Sequence, residues 1–211
     1  MAKLTRLNPD KARGDPAPHK PLLLLVLLDL AEKGQVSRDG LALTPELAFR
    51  FCEVWKIVAH RRTQRPDVRY PFHHLKTNGF WRALGANGKP SPHRNLTQFA
   101  AFDPDFRSRL DNPSWREEAR RTLIAIFSGA AERIAFYSLW DIPVPSDEQL
   151  ERDRNPPDPE AAAKNGREVR FRLNVVAAYN YTCALTGYRL TTISAGGIVD
   201  AAHIHQFADS R

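Results

Sequence analysis

The stretch that decides the fold reads PHKPLLLLVLLDLAEKG and spans residues 18–34. Its two prolines fall in the first turn of a predicted helix, where a missing backbone N–H costs no hydrogen bond, and Gly34 stands where the helix should end. Between Leu22 and Leu30 only Asp29 is polar. So broad an apolar surface predicts a helix at the centre of the core of an amino-terminal domain.

Three further helices are indicated by their end signals. They should span about 45–59 with Thr44 as cap, 71–79, and 113–127 with Asn112 as cap. The first and the last carry a proline at the opening position, and a glycine follows the last one. The predicted fold class is therefore mainly α, with a helical amino-terminal domain.

The basic charge of the chain is concentrated between residues 50 and 94. The whole chain has a net charge of +7, whereas this segment has ten Lys or Arg residues against two acidic ones, a net of +8. It also holds four of the seven histidines, together with interleaved aromatic residues. Clustered cations and aromatics suit a phosphate backbone, but charge alone fits a solvated basic surface equally well.

Other features of the composition exclude several classes of protein. With 211 residues, the chain can bury a sizeable core without disulfides. The two cysteines, Cys52 and Cys183, form no Cys-x-x-Cys pair, which argues against a disulfide scaffold and favours a reduced, cytoplasmic setting. The longest apolar run, 22–28, is too short to cross a bilayer, and the amino terminus lacks the apolar core of a signal peptide.

A change of composition divides the chain. Residues 143–166 are rich in proline and charge, so we assign 1–142 to a first domain, 143–166 to a linker and 167–211 to a second, incomplete domain. Within the second domain, the pattern predicts a helix over 171–179 and strands over 188–193 and 198–203.

Three ordered motifs lie in the carboxy-terminal segment: FRLNVVAAY at 171–179, CALTG at 183–187 and DAAHI at 200–204. Together they resemble the start of the ββα-metal domain of the HNH endonuclease family. The resemblance implies that His203, at the end of the first long strand, is the general base that activates water against a phosphodiester. Without the flanking motifs, a histidine after an apolar strand would be expected to be structural.

The HNH pattern continues with an asparagine-containing loop and a helix that supplies further metal ligands. The sequence stops at Arg211, so we expect no complete metal site and no efficient DNA cleavage by this chain. The complete domain is expected to use Mg²⁺ or Mn²⁺, and the fragment to hold no cofactor. A structural zinc is not expected, because the position that would pair with Cys183 is Thr186.

Two signatures mark the amino-terminal region: PHKPLLLL at 18–25 and YPFHHLKTNGFW at 70–81. They resemble the DNA sulfur-binding domain that precedes HNH domains in McrA-like type IV restriction enzymes, over residues 1 to about 140. The resemblance implies binding to double-stranded phosphorothioate DNA, in which sulfur replaces a non-bridging phosphate oxygen. The implied sulfur-binding residues are Tyr70, Pro71 and His74.

Cations around these residues are candidates for the rest of the DNA interface. The expected phosphate contacts are His19, Lys20, Arg61, Arg62, Arg65 and Arg69. The stretch 85–95, rich in glycine, proline and asparagine, should be an exposed loop that enters the major groove. Its base-reading candidates are Lys89, His93 and Arg94, of which Arg94 is the preferred residue because arginine can bind guanine through two hydrogen bonds.

Two alternatives stay open at this point. An HNH enzyme that reads a modified base would need a deep aromatic pocket for a flipped nucleobase. A non-catalytic DNA-binding regulator would use the carboxy-terminal motif only as a scaffold or dimer contact. The sequence does not determine which bases surround the modification. It also leaves the oligomeric state open, with a homodimer as one possibility.

Overall fold

A computed structural model describes Leu7, residues 17–61, 66–143 and 158–189, and Ile193 of the 211-residue chain. These residues form seven α-helices and one small sheet, which confirms a mainly helical fold. The helices are α1 (His19–Glu32), α2 (Pro45–Trp55), α3 (Arg69–His74), α4 (Pro104–Asp111), α5 (Pro113–Phe127), α6 (Ala130–Leu139) and α7 (Pro159–Ala178). The strands are β1 (Leu41–Ala42), β2 (Trp81–Leu84) and β3 (Phe99–Phe102).

Helix α1 is the centre of the core, as its sequence predicts. Every residue from Pro21 to Leu30 is buried, including Asp29. The helix packs against α2, α3, α4 and α5, which is possible only because its apolar residues run all the way round its axis. Helix α1 therefore fixes the elements that carry the basic segment.

The sequence predicts the ends of several helices correctly. The Thr44 hydroxyl accepts a hydrogen bond from the backbone N–H of Leu47 (3.2 Å), and the Asn112 side chain accepts one from Trp115 N–H (3.1 Å). Helix α2, however, ends at Trp55 rather than near residue 59. Beyond it the chain forms turns and a short 3₁₀ helix. The side chains of Ile57 and Val58 in this stretch are still buried.

The antiparallel sheet has the order β1-β3-β2 and is a feature that the sequence analysis did not predict. Trp81 of β2 pairs with Phe102 of β3, and Leu84 with Phe99. The Trp81 indole donates a hydrogen bond to the carbonyl oxygen of Phe72 in α3 (2.8 Å). The sheet therefore holds the loop of residues 85–98, called here the β2–β3 loop, next to α3.

Helix α7 begins earlier than predicted. It starts at Pro159, and the Asp158 carboxylate caps it by accepting a hydrogen bond from Glu160 N–H (2.9 Å). Residues 159–166, assigned above to a linker, are thus helical. Gly166 is buried against α6, where a Cβ would collide with the carbonyl oxygen of Ala135. The structure makes these residues the first two turns of α7, because a proline with an aspartate before it also opens a helix.

The described residues contain little of the predicted carboxy-terminal strands. Thr182 and Arg189 form an isolated antiparallel bridge, and the turn between them is closed by a hydrogen bond from Gly187 N–H to the Cys183 carbonyl (2.9 Å). The predicted strand 198–203 lies outside the described residues. Among the helices that are described, none is both long and apolar enough to cross a membrane.

Candidate nucleic-acid interface

Helix α3 brings the three predicted sulfur-binding residues together. Tyr70 and His74 are one turn apart, and the centroids of their rings lie 4.6 Å from each other. Pro71 is buried in the first turn between them, whereas Tyr70 is 37% exposed. We call these three residues the α3 surface. It presents the Tyr70 ring and the partly buried His74 imidazole, while the Pro71 ring is buried between them.

His19 lies beneath this surface. Its ring is only 8% exposed and packs between Trp55, at a centroid distance of 4.6 Å, and Tyr70, at 5.7 Å. A side chain in this position offers little area to a phosphate. The described conformation therefore favours a role in supporting Tyr70 over the direct phosphate contact predicted from sequence.

Three cations converge on His74. Burial lowers the pKa of the His74 imidazole, and the charges of Lys20, Lys76 and Arg94 lower it further. Lys20 is held by hydrogen bonds from its ammonium to the Thr77 hydroxyl and the Asn78 side-chain oxygen, both 3.2 Å. Burial also lowers the pKa of Lys20. The positive charge around the α3 surface is thus partly withdrawn from water.

Arg94 reaches the α3 surface from the β2–β3 loop. Its guanidinium carbon lies 5.7 Å from the centre of the Tyr70 ring, within the range of a cation–π interaction. The other two base-reading candidates, Lys89 and His93, are exposed in the same loop. The structure therefore places the predicted base-reading loop directly beside the predicted sulfur-binding residues.

Arg69 has an acidic partner that the sequence analysis missed. Its guanidinium donates to both carboxylate oxygens of Asp67, at 2.9 and 3.1 Å. Burial alone would raise the pKa of Asp67, but the hydrogen bonds from Arg69 outweigh burial and lower it. A phosphate contact by Arg69 would have to share the guanidinium with this carboxylate. Asp67 and Arg69 are two positions apart in the basic segment, and this spacing is the sequence signal that could have indicated the pair.

His73, also missed from sequence, is buried behind the α3 surface and is only 4% exposed. Its Nδ1 lies 2.7 Å from the Thr97 hydroxyl, and its Nε2 lies 2.8 Å from the Lys76 ammonium. Because an ammonium can only donate, Nε2 accepts and Nδ1 carries the proton. Burial, followed by the charge of Lys76, lowers the pKa of His73 from 6.5 to about 4.

Because the folded chain keeps the His73 imidazole neutral, the free energy of unfolding should depend on pH. The unfolded chain takes up the proton near pH 6.5 and the folded chain near pH 4, so the free energy of unfolding should fall as the pH is lowered through that window. We expect His73 to account for roughly 3 kcal/mol of this loss. Urea unfolding at several pH values should show a shallower decline for His73→Asn, and an unchanged decline would contradict the prediction. The same substitution at exposed His93 is the matched control for loss of an imidazole.

Several predicted site residues cannot be placed. Arg62, Arg65 and His203 lie outside the described residues, and only the backbone of Arg61 is described, in a 3₁₀ helix. Within the part of the chain that the structure describes, no group of three or more His, Cys, Asp or Glu side chains is arranged to hold a metal ion.

An exposed aromatic ring beside lysine and arginine side chains, carried on a helical domain, is typical of a nucleic-acid-binding protein. Residues 1–127 match the family described as "ScoMcrA-like, DNA sulfur-binding domain", and the chain belongs to that family. A solved structure, "Sulfur binding domain of ScoMcrA complexed with phosphorothioated DNA", is 19% identical, with 70% of this chain and 92% of that chain covered and a TM-score of 0.46. No curated protein matches the chain.

Proposed function

We propose that the amino-terminal domain recognises a phosphorothioate linkage in double-stranded DNA and that the α3 surface receives the sulfur. The observation that carries the proposal is the position of Tyr70 and Pro71, an apolar patch set among the cations that face His74. Membership of the DNA sulfur-binding family supports the same assignment.

The chemistry of the two linkages explains how such a patch can discriminate. A phosphorothioate keeps its negative charge, so Lys20 and Arg94 attract it as they would an ordinary phosphate. Its sulfur is larger and less strongly hydrated than oxygen. An oxygen pressed against Pro71 and the Tyr70 ring loses water without gaining a hydrogen bond, at a cost of roughly 1 to 3 kcal/mol. Sulfur should lose much less.

The remaining cations would position the duplex. In this proposal Lys20, Arg61 and Arg62 contact phosphates and add affinity without reading sequence, as do the other phosphate candidates of the basic segment. The β2–β3 loop enters the major groove, where Arg94 binds the O6 and N7 atoms of a guanine. Its place beside Tyr70 would let one residue border both the modified phosphate and the adjacent base pair.

A binding comparison tests this function. Two duplexes of identical sequence, one with a single phosphorothioate and one unmodified, are titrated with the chain at fixed salt. We expect at least about tenfold tighter binding to the modified duplex, which is about 1.4 kcal/mol and lies within the desolvation penalty. Equal affinity for the two duplexes would reject sulfur recognition and favour the base-reading or regulator alternatives.

A second proposal concerns the carboxy-terminal segment, which we infer directs DNA cleavage through an HNH site with His203 as general base. The support for it is the resemblance of the motifs at 171–179, 183–187 and 200–204 to the start of the ββα-metal domain of HNH endonucleases. The test is cleavage of phosphorothioate plasmid in Mg²⁺ or Mn²⁺ by the full-length protein and by its His203→Ala variant. Cleavage that survives the substitution would contradict the role of His203, whereas loss of cleavage with intact binding would support it.

A further inference from the structure

A buried chain of hydrogen bonds connects α3 with the β2–β3 loop. Its side chains are among the least exposed polar groups of the domain: His73 is 4%, Ser91 4% and Thr97 2% exposed. None of them faces the DNA in the interface proposed above. They join the helix that carries Tyr70 and Pro71 to the loop that carries Arg94.

The hydrogen bonds in this buried series all point the same way, from the Lys76 ammonium towards the carbonyl of His93. Lys76 donates to His73 Nε2 (2.8 Å), and His73 Nδ1 donates to the Thr97 hydroxyl (2.7 Å). Thr97 donates to the Ser91 hydroxyl (3.0 Å), which donates to the backbone carbonyl of His93 (2.8 Å). Every hydroxyl in the series thus accepts one hydrogen bond and donates another. This order requires the neutral Nδ1–H form of His73.

The last link fixes the backbone next to Arg94. The carbonyl of His93 also lies 3.2 Å from the Thr97 hydroxyl, and the Lys76 ammonium lies 3.4 Å from the Ser91 carbonyl. Arg94 follows His93 at once and opens a 3₁₀ turn. Its guanidinium therefore reaches the Tyr70 ring from a backbone that is held at two points.

Packing alone does not require these groups. An apolar core of the same shape would leave no buried donor or acceptor to satisfy, whereas each of these groups becomes costly if its partner is lost. A fully satisfied polar chain instead favours one relative position of the two elements it joins. Here those elements are the proposed sulfur site and the proposed base-reading loop.

We propose that His73 and Thr97 are positioning residues that set the base selectivity of the domain by holding Arg94 in register with the α3 surface. This inference rests on the proposed function and adds that sulfur preference and base preference can be separated. The first depends on the composition of the α3 surface, and the second depends on the hydrogen-bond chain behind it.

The test uses Thr97→Val, which removes the hydroxyl and keeps the shape of the side chain. Affinities are measured for a panel of phosphorothioate duplexes that differ only in the base pairs beside the modified linkage, and for their unmodified counterparts. We expect the ratio between the best and worst sequence to shrink by about tenfold. The ratio between modified and unmodified DNA of the best sequence should stay within about twofold. Thr122→Val, on α5, is the matched control and should change neither ratio.

A second pair of variants separates positioning from general destabilisation. His73→Asn keeps an N–H that can reach Thr97 and should retain most of the base selectivity, whereas His73→Leu should lose it. This pair also decides the outcome if Thr97→Val fails to fold. Rescue by asparagine is not expected of a residue that only fills space.

The possible failures are distinguishable. If the unmutated chain binds both kinds of DNA equally, the proposed function fails and the inference falls with it. If sulfur preference is intact but the unmutated chain reads no sequence, or if base selectivity survives in both Thr97→Val and His73→Leu, only the inference is overturned. It is also overturned if the variants lose sulfur preference and base preference in parallel.

Discussion

Replacing Arg50 with methionine is expected to lower the free energy of unfolding by about 3 kcal/mol. Arg50 is 4% exposed and donates to the Tyr181 hydroxyl (2.8 Å), the Asp29 carboxylate (3.2 Å) and the Gln35 side chain (3.4 Å). Removing the guanidinium leaves Asp29, itself only 7% exposed, in the core of α1. Its remaining partner is Lys33, at 3.0 Å, so the loss should stay near the lower end for a broken buried pair.

Equilibrium unfolding in urea measures this loss, and Arg121→Met is the matched control. Arg121 forms an i,i+4 pair with Glu117 in which both side chains are more than a third exposed; such a pair contributes about 0.5 kcal/mol or less. A loss below about 1 kcal/mol for Arg50→Met would mean that the buried pair is dispensable. Because Tyr181 follows α7, the variant should also become more sensitive to proteolysis near the end of that helix.

Substitution of Tyr70 or Pro71 with serine should abolish most of the preference for phosphorothioate DNA. A serine would admit water to the α3 surface and offer a hydroxyl to an ordinary phosphate oxygen, so the penalty against oxygen would disappear. We expect the modified-to-unmodified ratio to fall about tenfold, to near unity. Binding to both duplexes should persist through the surrounding cations, with its usual salt dependence.

Tyr188→Ser is the control for this measurement, because Tyr188 is 73% exposed and lies in the carboxy-terminal turn. It should leave the ratio unchanged. A Tyr70→Ser variant that keeps full discrimination would show that sulfur is received elsewhere. Tyr70 is the cleaner of the two positions, since its ring is 37% exposed and its removal costs little core packing.

Local signals were sufficient for much of the fold. The apolar run of α1 and the caps at Thr44 and Asn112 predicted helices that the structure contains, because a helix end is decided within four or five residues of chain. The resemblance of the motif implied Tyr70 and His74 as a pair, and the four-residue separation puts them on one side of α3. The early start of α7 shows the limit of composition, because a segment rich in proline and charge can still open a helix.

The sequence by itself therefore determined the helical class, the basic segment and, through the resemblance of its motifs, the α3 surface as the candidate sulfur site. Only the tertiary structure decided how that surface is supported. The sheet that pairs Trp81 with Phe102, the burial of His19 under Tyr70, and the approach of Arg94 to the same ring join residues about twenty to fifty positions apart. Such contacts have no period in the sequence, because they depend on which elements the core brings together and not on the propensities of neighbouring residues. For the same reason, the hydrogen-bond chain through His73 could be read only from the folded molecule.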